Sequence, residues 1–264
     1  MKGRSLIRDY LTSLRHPEFW IYATWLGLVT KYRTSRLGMV WAFVPAIFYS
    51  FGVGWFFAHL QGSSAREFIP HLGLGYVIFR LVTVSLNECT TTYNSHSNFI
   101  LDGRVRLTDY ILRVLGRAMF YFVIALPTIA VALSLAPGFQ PARVLWLVPS
   151  LLLVIFNIGW MGAIISVLGA RLRDMYELMG SVLMFSFLFT PILWKADQIP
   201  VGTLRGTIAR ANPLFHMVEI VRAPLLGESL EDFSLAYLGV MSVLGWVIAA
   251  WVYRRYARFV PVWL

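Results

Sequence analysis

The side chains that carry most enzyme chemistry are few in this sequence and poorly placed for it. Five histidines, His16, His59, His71, His96 and His216, are scattered through polar stretches and the ends of apolar ones, a distribution without metal-ligand spacing. Neither a His-Glu-x-x-His pair nor a Gly-x-Ser-x-Gly elbow occurs. The three lysines, Lys2, Lys31 and Lys195, never follow a glycine, so the chain lacks a phosphate-binding P-loop. Carboxylates keep to loops and the edges of apolar runs, Glu177 lying deepest, which weakens an ion-coupled transport mechanism. What the apolar runs do contain is aromatic rings. Trp41, Phe48 and Trp55, with Pro45 and Gly52, recur at steps of four and three and so share one helix face; a later run adds Phe185 and Phe189. Such faces stack on the apolar faces of sugar rings at small cost in conformational entropy. The same rings also serve helix packing and interfacial anchoring, and the pattern alone leaves both uses open.

The elements that must hold these rings are membrane spans. Charged residues make up 14% of the 264 and hydrophobic ones 58%, against about 25% charged in a soluble domain. Residues 37–60 run for 24 positions without a charge before the boundary His59. At ~1.5 Å per residue that exceeds a ~30 Å hydrocarbon core. Five more apolar stretches follow at 68–87, 118–135, 144–170, 175–194 and 235–253. The sequence therefore predicts an all-α membrane protein with six transmembrane helices, a single six-span domain over 37–264 behind an N-terminal segment of 1–36. Within that segment Pro17 suits a first helical position and Glu18 its positive end. Residues 17–32 read as a helix along the membrane interface, anchored by Trp20 and Trp25. The apolar run 19–30 is short for a span and ends in Lys31-Tyr32-Arg33 rather than in small residues that a signal peptidase accepts. A signal anchor is the other reading of it. The lone Cys89 excludes an intrachain disulfide.

Charge orients the chain. Sixteen of the 23 basic residues fall on the side of the two termini, six on the other, and Arg80 lies within a span. Basic loops stay cytoplasmic, so both termini and 88–109 are expected inside and the long connection 195–234 outside. The formal charge of +10 then suits an anionic inner leaflet rather than nucleic acid. Arg80 is expected to face protein or water, not lipid, with Glu88 two turns on as its candidate partner.

Several short motifs, taken together and in order, resemble a known family. They are Lys31-Tyr32-Arg33-x-Ser35-x-Leu37-Gly38 ahead of Trp41, the loop Arg171-x-Arg173-Asp174, the break Thr190-Pro191-Ile192, and Asn212-Pro213-Leu214 followed by Ile220-x-Arg222. The combination resembles the ABC-2 permeases that export O-antigen, capsule and teichoic-acid chains. The closing Val262-Trp263-Leu264 is similar to the Tyr-Trp-Leu end of some members, departing at Val262. The resemblance implies a homodimer of six-span subunits in the bacterial inner membrane, forming one channel for a lipid-linked polysaccharide. A separate nucleotide-binding ATPase dimer would hold ATP and Mg, leaving this chain without a cofactor. Residues 98–108 would form a short helix seated in that ATPase, with Asn98, Leu101, Asp102, Arg104 and Arg106 at the contact. Short helices within 195–234 would stand at the periplasmic exit, and Trp41, Phe48, Trp55, Phe185 and Phe189 would line the path. Two other functions stay open: an enzyme of lipid-linked sugars using Asp102, Asp109 or Asp174, and an exporter of small lipids or drugs on the same scaffold.

Overall fold

Apolar runs bounded by turn residues fold here as the helices they imply. A computed structural model describes residues 5–103, 105–200 and 202–264. In chain order the main helices are α1 (Leu6–Arg15), α2 (Glu18–Arg33), α3 (Gly38–Leu60), α4 (Ala65–Thr91), α5 (Ser97–Leu101) and α6 (Leu107–Leu135), then α7 (Leu147–Arg171), α8 (Met175–Phe189), α9 (Leu204–Ala211), α10 (Pro213–Leu226) and α11 (Asp232–Tyr256). Short turns join them, and the described residues contain no strand. The protein is an all-α membrane protein: α3, α4, α6, α7 with its lead-in from Pro141, and α11 with its extension to Trp263 are each long and apolar enough to cross a bilayer.

The hub is α4. In its most apolar window 78% of residues are buried, against 22% in α3 and in the α11 rod, so the other helices are arranged around it. The contact between α3 and α4 is made by small residues. Ala42, Ala46, Ser50, Gly54 and Ala58 form a buried stripe at four-residue steps along α3. The opposing chain is close: a Cβ on Gly73 would stand 2.6 Å from Ser50 Oγ, and one on Gly54 3.2 Å from Ile69 Cα. Four residues of ideal α-helix turn through about 400°, so such a stripe would drift by about 40° per step. A π-helical stretch at Phe48–Val53, with more residues per turn, takes up that drift and keeps the small residues against α4.

The two ends of the bundle differ. At one end α1, α2, α5, the 172–174 turn and the C-terminal residues gather, tied by hydrogen bonds from Tyr253 Oη to Asp9 Oδ2 (2.9 Å) and from Asn94 Nδ2 to the Gly169 carbonyl (2.9 Å). Thirteen described basic residues lie at this end and six at the far end; Lys2, Arg4 and Arg104 lie outside the described residues. Gly169 marks the closest helix crossing there, since an added Cβ would run into the Thr90 carbonyl.

The structure departs from the sequence expectations at several points. The stretch 175–194 is not one continuous helix: α8 ends at Phe189 after 15 residues, about 22 Å of helix. The cause is Pro191, which forces Thr190 out of the helical region (φ −86°, ψ 133°). Helix α6 starts eleven residues before the predicted 118, because Asp109 accepts from the Arg106 backbone N–H (3.0 Å) and starts the helix among polar residues. The connection 195–234, expected to hold short helices, contains α9 and α10. Its α10 is apolar on nearly every side and lies buried against α4, α7 and α11. Finally, α1 has no counterpart in the sequence expectations. It turns Leu6, Tyr10 and Ser13 inward, with Tyr10 Oη donating to the Gly159 carbonyl (2.8 Å), while Ile7, Leu11 and Leu14 stay exposed. Helix α2 begins one residue after the predicted Pro17 and ends one after Tyr32. Its Trp20 works within the protein, donating from Nε1 to the Ser13 carbonyl (3.0 Å), and Trp25 alone of the two expected anchors is exposed.

Candidate functional site

Because α3 meets α4 through its small residues, its aromatic rings are turned away from the core. Trp41, Phe48 and Trp55 are 52%, 61% and 55% exposed. Their ring contacts stay within α3, Phe48 meeting Tyr49 and Trp55 meeting His59. On α8 it is Phe187 that packs inward, edge-to-face on Phe79 at 5.2 Å, while Phe185 and Phe189 remain exposed. The α3 and α8 rings therefore occupy two exposed faces, each beside α4, and no described ring pair joins one face to the other. Tyr49 stacks flat on Tyr76 of α4 at 3.8 Å, an aromatic contact the sequence did not single out.

A second feature climbs α6. Arg113, Arg117 and Tyr121 recur at four-residue steps and so share one face. Arg117 Nε donates to Glu88 Oε2 (2.9 Å), so the carboxylate expected beside Arg80 is already engaged. Arg80 instead lies with its guanidinium 5.3 Å from the centroid of the Tyr121 ring, and Lys31 Nζ donates to Tyr121 Oη (2.8 Å) from the other side. Among the described residues no acidic group stands within ion-pair distance of Lys31, Arg80 or Arg113. Cations in a low-dielectric setting without carboxylates are costly, and they mark a surface suited to an anionic group.

The motif residues have separate structural reasons. Gly38 adopts φ +53°, a left-handed turn between α2 and α3 that a residue with a Cβ resists, and Lys31 anchors the same corner on Tyr121. Arg33 is exposed at the end of α2. Arg171 stacks 5.6 Å from the centroid of Trp263, joining the loop motif to the C-terminal one, while Arg173 and Asp174 are exposed in the turn before α8. The remaining motif residues repair the broken span. Non-helical backbone buried in a membrane protein needs partners for its carbonyls. Arg222 Nη1 donates to the Pro191 carbonyl, Gln61 Nε2 to that of Leu193 (2.6 Å), and His71 Nε2 meets that of Trp194 (3.2 Å). Asn212 caps α10 by accepting from the Leu214 N–H (3.0 Å), and its amide donates to Thr190 Oγ1 (2.9 Å); Pro213 fills the first helical turn, where no N–H is missed. Gln61 and His71 were not singled out by the sequence, since they act on a segment more than 120 residues away.

Residues 97–103 form a helical knob at the basic end. On α5 Asn98, Phe99, Leu101 and the following Asp102 are exposed, and Gly103 turns the chain at φ +69°. Arg106 is the N-cap residue of α6, half-buried, and Arg104 lies outside the described residues. Phe99, 59% exposed beside Leu101 at 56%, forms with it an exposed apolar patch, and Phe99 was not singled out in the sequence.

Compared with protein-family profiles, residues 19–226 match the ABC-2 type transporter. A search of curated proteins returned no match. The matched stretch runs from α2 through the broken α8 segment to the end of α10, taking in the surfaces just described. The chain therefore belongs to the ABC-2 type transporter family, the membrane-embedded transport subunits of ABC exporters.

Proposed function

We propose that this permease exports a lipid-linked polysaccharide, of the O-antigen or capsule kind, across the bacterial inner membrane. It works as a homodimer, driven by a nucleotide-binding ATPase dimer that holds ATP and Mg. The observation that carries this reading is the exposed aromatic stripe of α3. Trp41, Phe48 and Trp55 stay more than half exposed although the helix packs tightly through its opposite face. A second copy facing that stripe would enclose a column of rings, joined by Phe185 and Phe189. A sliding glycan needs weak, repeated contacts, and ring stacking supplies them without deep hydrogen-bonded wells. The cations Lys31 and Arg80, gathered at Tyr121 of α6, suit the anionic part of such a substrate more than a neutral drug. For an enzyme of lipid-linked sugars the acids are badly distributed. Asp109 is 3% exposed and committed to capping α6, while Asp102 and Asp174 lie in two different turns.

The basic end is the cytoplasmic one in this reading, and α5 seats in the ATPase. Single cysteines placed at Phe99 and Thr203, with the buried Cys89 replaced by serine, test both statements. The Phe99→Cys label should react with a membrane-impermeant maleimide only from the cytoplasmic side and be protected when the ATPase is bound. The Thr203→Cys label should react only from the opposite side. Labelling of both from one side would overturn the topology, and Phe99→Cys labelling unaffected by the ATPase would overturn the docking site.

A further inference from the structure

At the basic end a polar cleft of about 300 Å³ opens between the end of α4, the Asn94–His96 turn and α6. Its lining includes Glu88, Thr92, Ser95, His96, Arg113 and Arg117. Its hydrogen-bond inventory is unbalanced. Glu88 is occupied by Arg117. His96 takes its Nδ1 to the Thr92 carbonyl (2.7 Å) and its Nε2 to Arg113 Nη1, so a neutral ring donates from Nδ1 and accepts at Nε2. Burial, with Arg113 and Arg117 beside it, holds His96 below its ordinary range in keeping with that role. Arg113 Nε reaches only a backbone carbonyl, that of Ala23 (3.4 Å), and among the described residues no carboxylate stands within ion-pair distance of this guanidinium. The Thr92 hydroxyl, on a residue only 4% exposed, has no partner at all. A buried hydroxyl without an acceptor and a cation without an anion, in one cleft, call for the same missing group.

We propose that this cleft binds a phosphate group, with Arg113 supplying charge and Thr92 and Ser95 supplying hydroxyl donors. A phosphate brings three strong acceptor oxygens, enough to meet all three donors at once, where a chloride offers a single centre. The site is separate from the aromatic stripe of α3 and needs neither the ATPase nor a glycan to be occupied. The phosphate can belong to a lipid headgroup at the membrane surface or to a soluble solute, and the chemistry of recognition is shared.

Thr92→Val is the clean variant. It keeps the shape of the side chain and removes a hydroxyl that bonds to nothing in the protein, so the fold should be as stable as before or slightly more so. Purified protein in detergent would be titrated with inorganic phosphate, with potassium chloride at matched ionic strength as the control, and thermal unfolding followed. Phosphate should raise the midpoint by several degrees beyond the chloride control. Thr92→Val should weaken the apparent affinity at least fivefold while leaving the midpoint without phosphate unchanged or slightly raised; Ser95→Ala should weaken it less. A second titration with phosphatidylglycerol against phosphatidylcholine assigns the source. Displacement of phosphate by phosphatidylglycerol alone marks a headgroup site, and no displacement marks a soluble ligand. Equal midpoints in phosphate and chloride, or equal affinity in wild type and Thr92→Val, would overturn the proposal.

Discussion

Arg222→Leu is expected to destabilise this protein strongly. The side chain is 2% exposed, 31 residues in sequence from the Pro191 carbonyl that it satisfies, and 3.3 Å from His71 Nε2. An apolar replacement for a complete buried ion pair can be neutral, because both charges go together. Here the partner is backbone and cannot be removed with the arginine. The change leaves the Pro191 carbonyl without its donor at a break in the membrane helix, and it removes a contact of His71. His71 Nε2 keeps the Trp194 carbonyl, so one carbonyl is left unpaired and the cost is about 1–3 kcal/mol. Asn212→Ala, which loses a cap and the bond to Thr190, should cost less, about 1 kcal/mol from the cap alone. Thermal unfolding in detergent, with yield of membrane-inserted protein, reads both. A stable Arg222→Leu protein would show that the α8 break does not depend on this clamp.

Phe48→Ala and Trp55→Ala should do the reverse, abolishing most export while leaving the fold intact. A buried aromatic truncated to alanine costs ~3–5 kcal/mol. These two rings are 61% and 55% exposed and their ring pairs are with neighbours on their own helix, so their structural cost should stay near or below ~1 kcal/mol. If the rings form a sliding surface in the dimer, the double variant should fall at least tenfold in export per molecule at unchanged expression and ATPase association. A sharp drop in unfolding temperature, with export falling only in proportion to surviving protein, would mean that the rings hold the assembly together instead.

Hydropathy located the long rods because 20 or more apolar residues between charged turns have few other solutions in water or lipid. It failed where local backbone chemistry overrides apolarity. Ile192, Leu193 and Trp194 continue the apolar run of α8, but Pro191 ends the helix before them. Arg113 and Arg117 hide the first eleven residues of α6 from any hydropathy window, although their spacing on one face is visible. Helix α1 escaped because LIRDYLTSLR is short and mixes two apolar stripes with charges. The aromatic face of α3 was legible at its steps of four and three. The small-residue face behind it, which decides where the rings point, was equally legible at steps of four but draws less notice. The clamp on the broken span was not legible. Arg222, Gln61 and His71 meet carbonyls that only the fold brings near, and hydrogen bonds to backbone leave no partner residue to find in a sequence.

The most direct test is transport itself. The chain and its ATPase would be reconstituted in proteoliposomes carrying a fluorescent lipid-linked glycan on the side of the ATPase, and arrival of the glycan on the other face followed by enzymatic accessibility. The account predicts ATP-dependent arrival that stops when the ATPase is omitted or when Phe48 and Trp55 are both alanine. Movement of the glycan that is the same with and without ATP, or ATP hydrolysis that moves a lipid but no glycan, would contradict it.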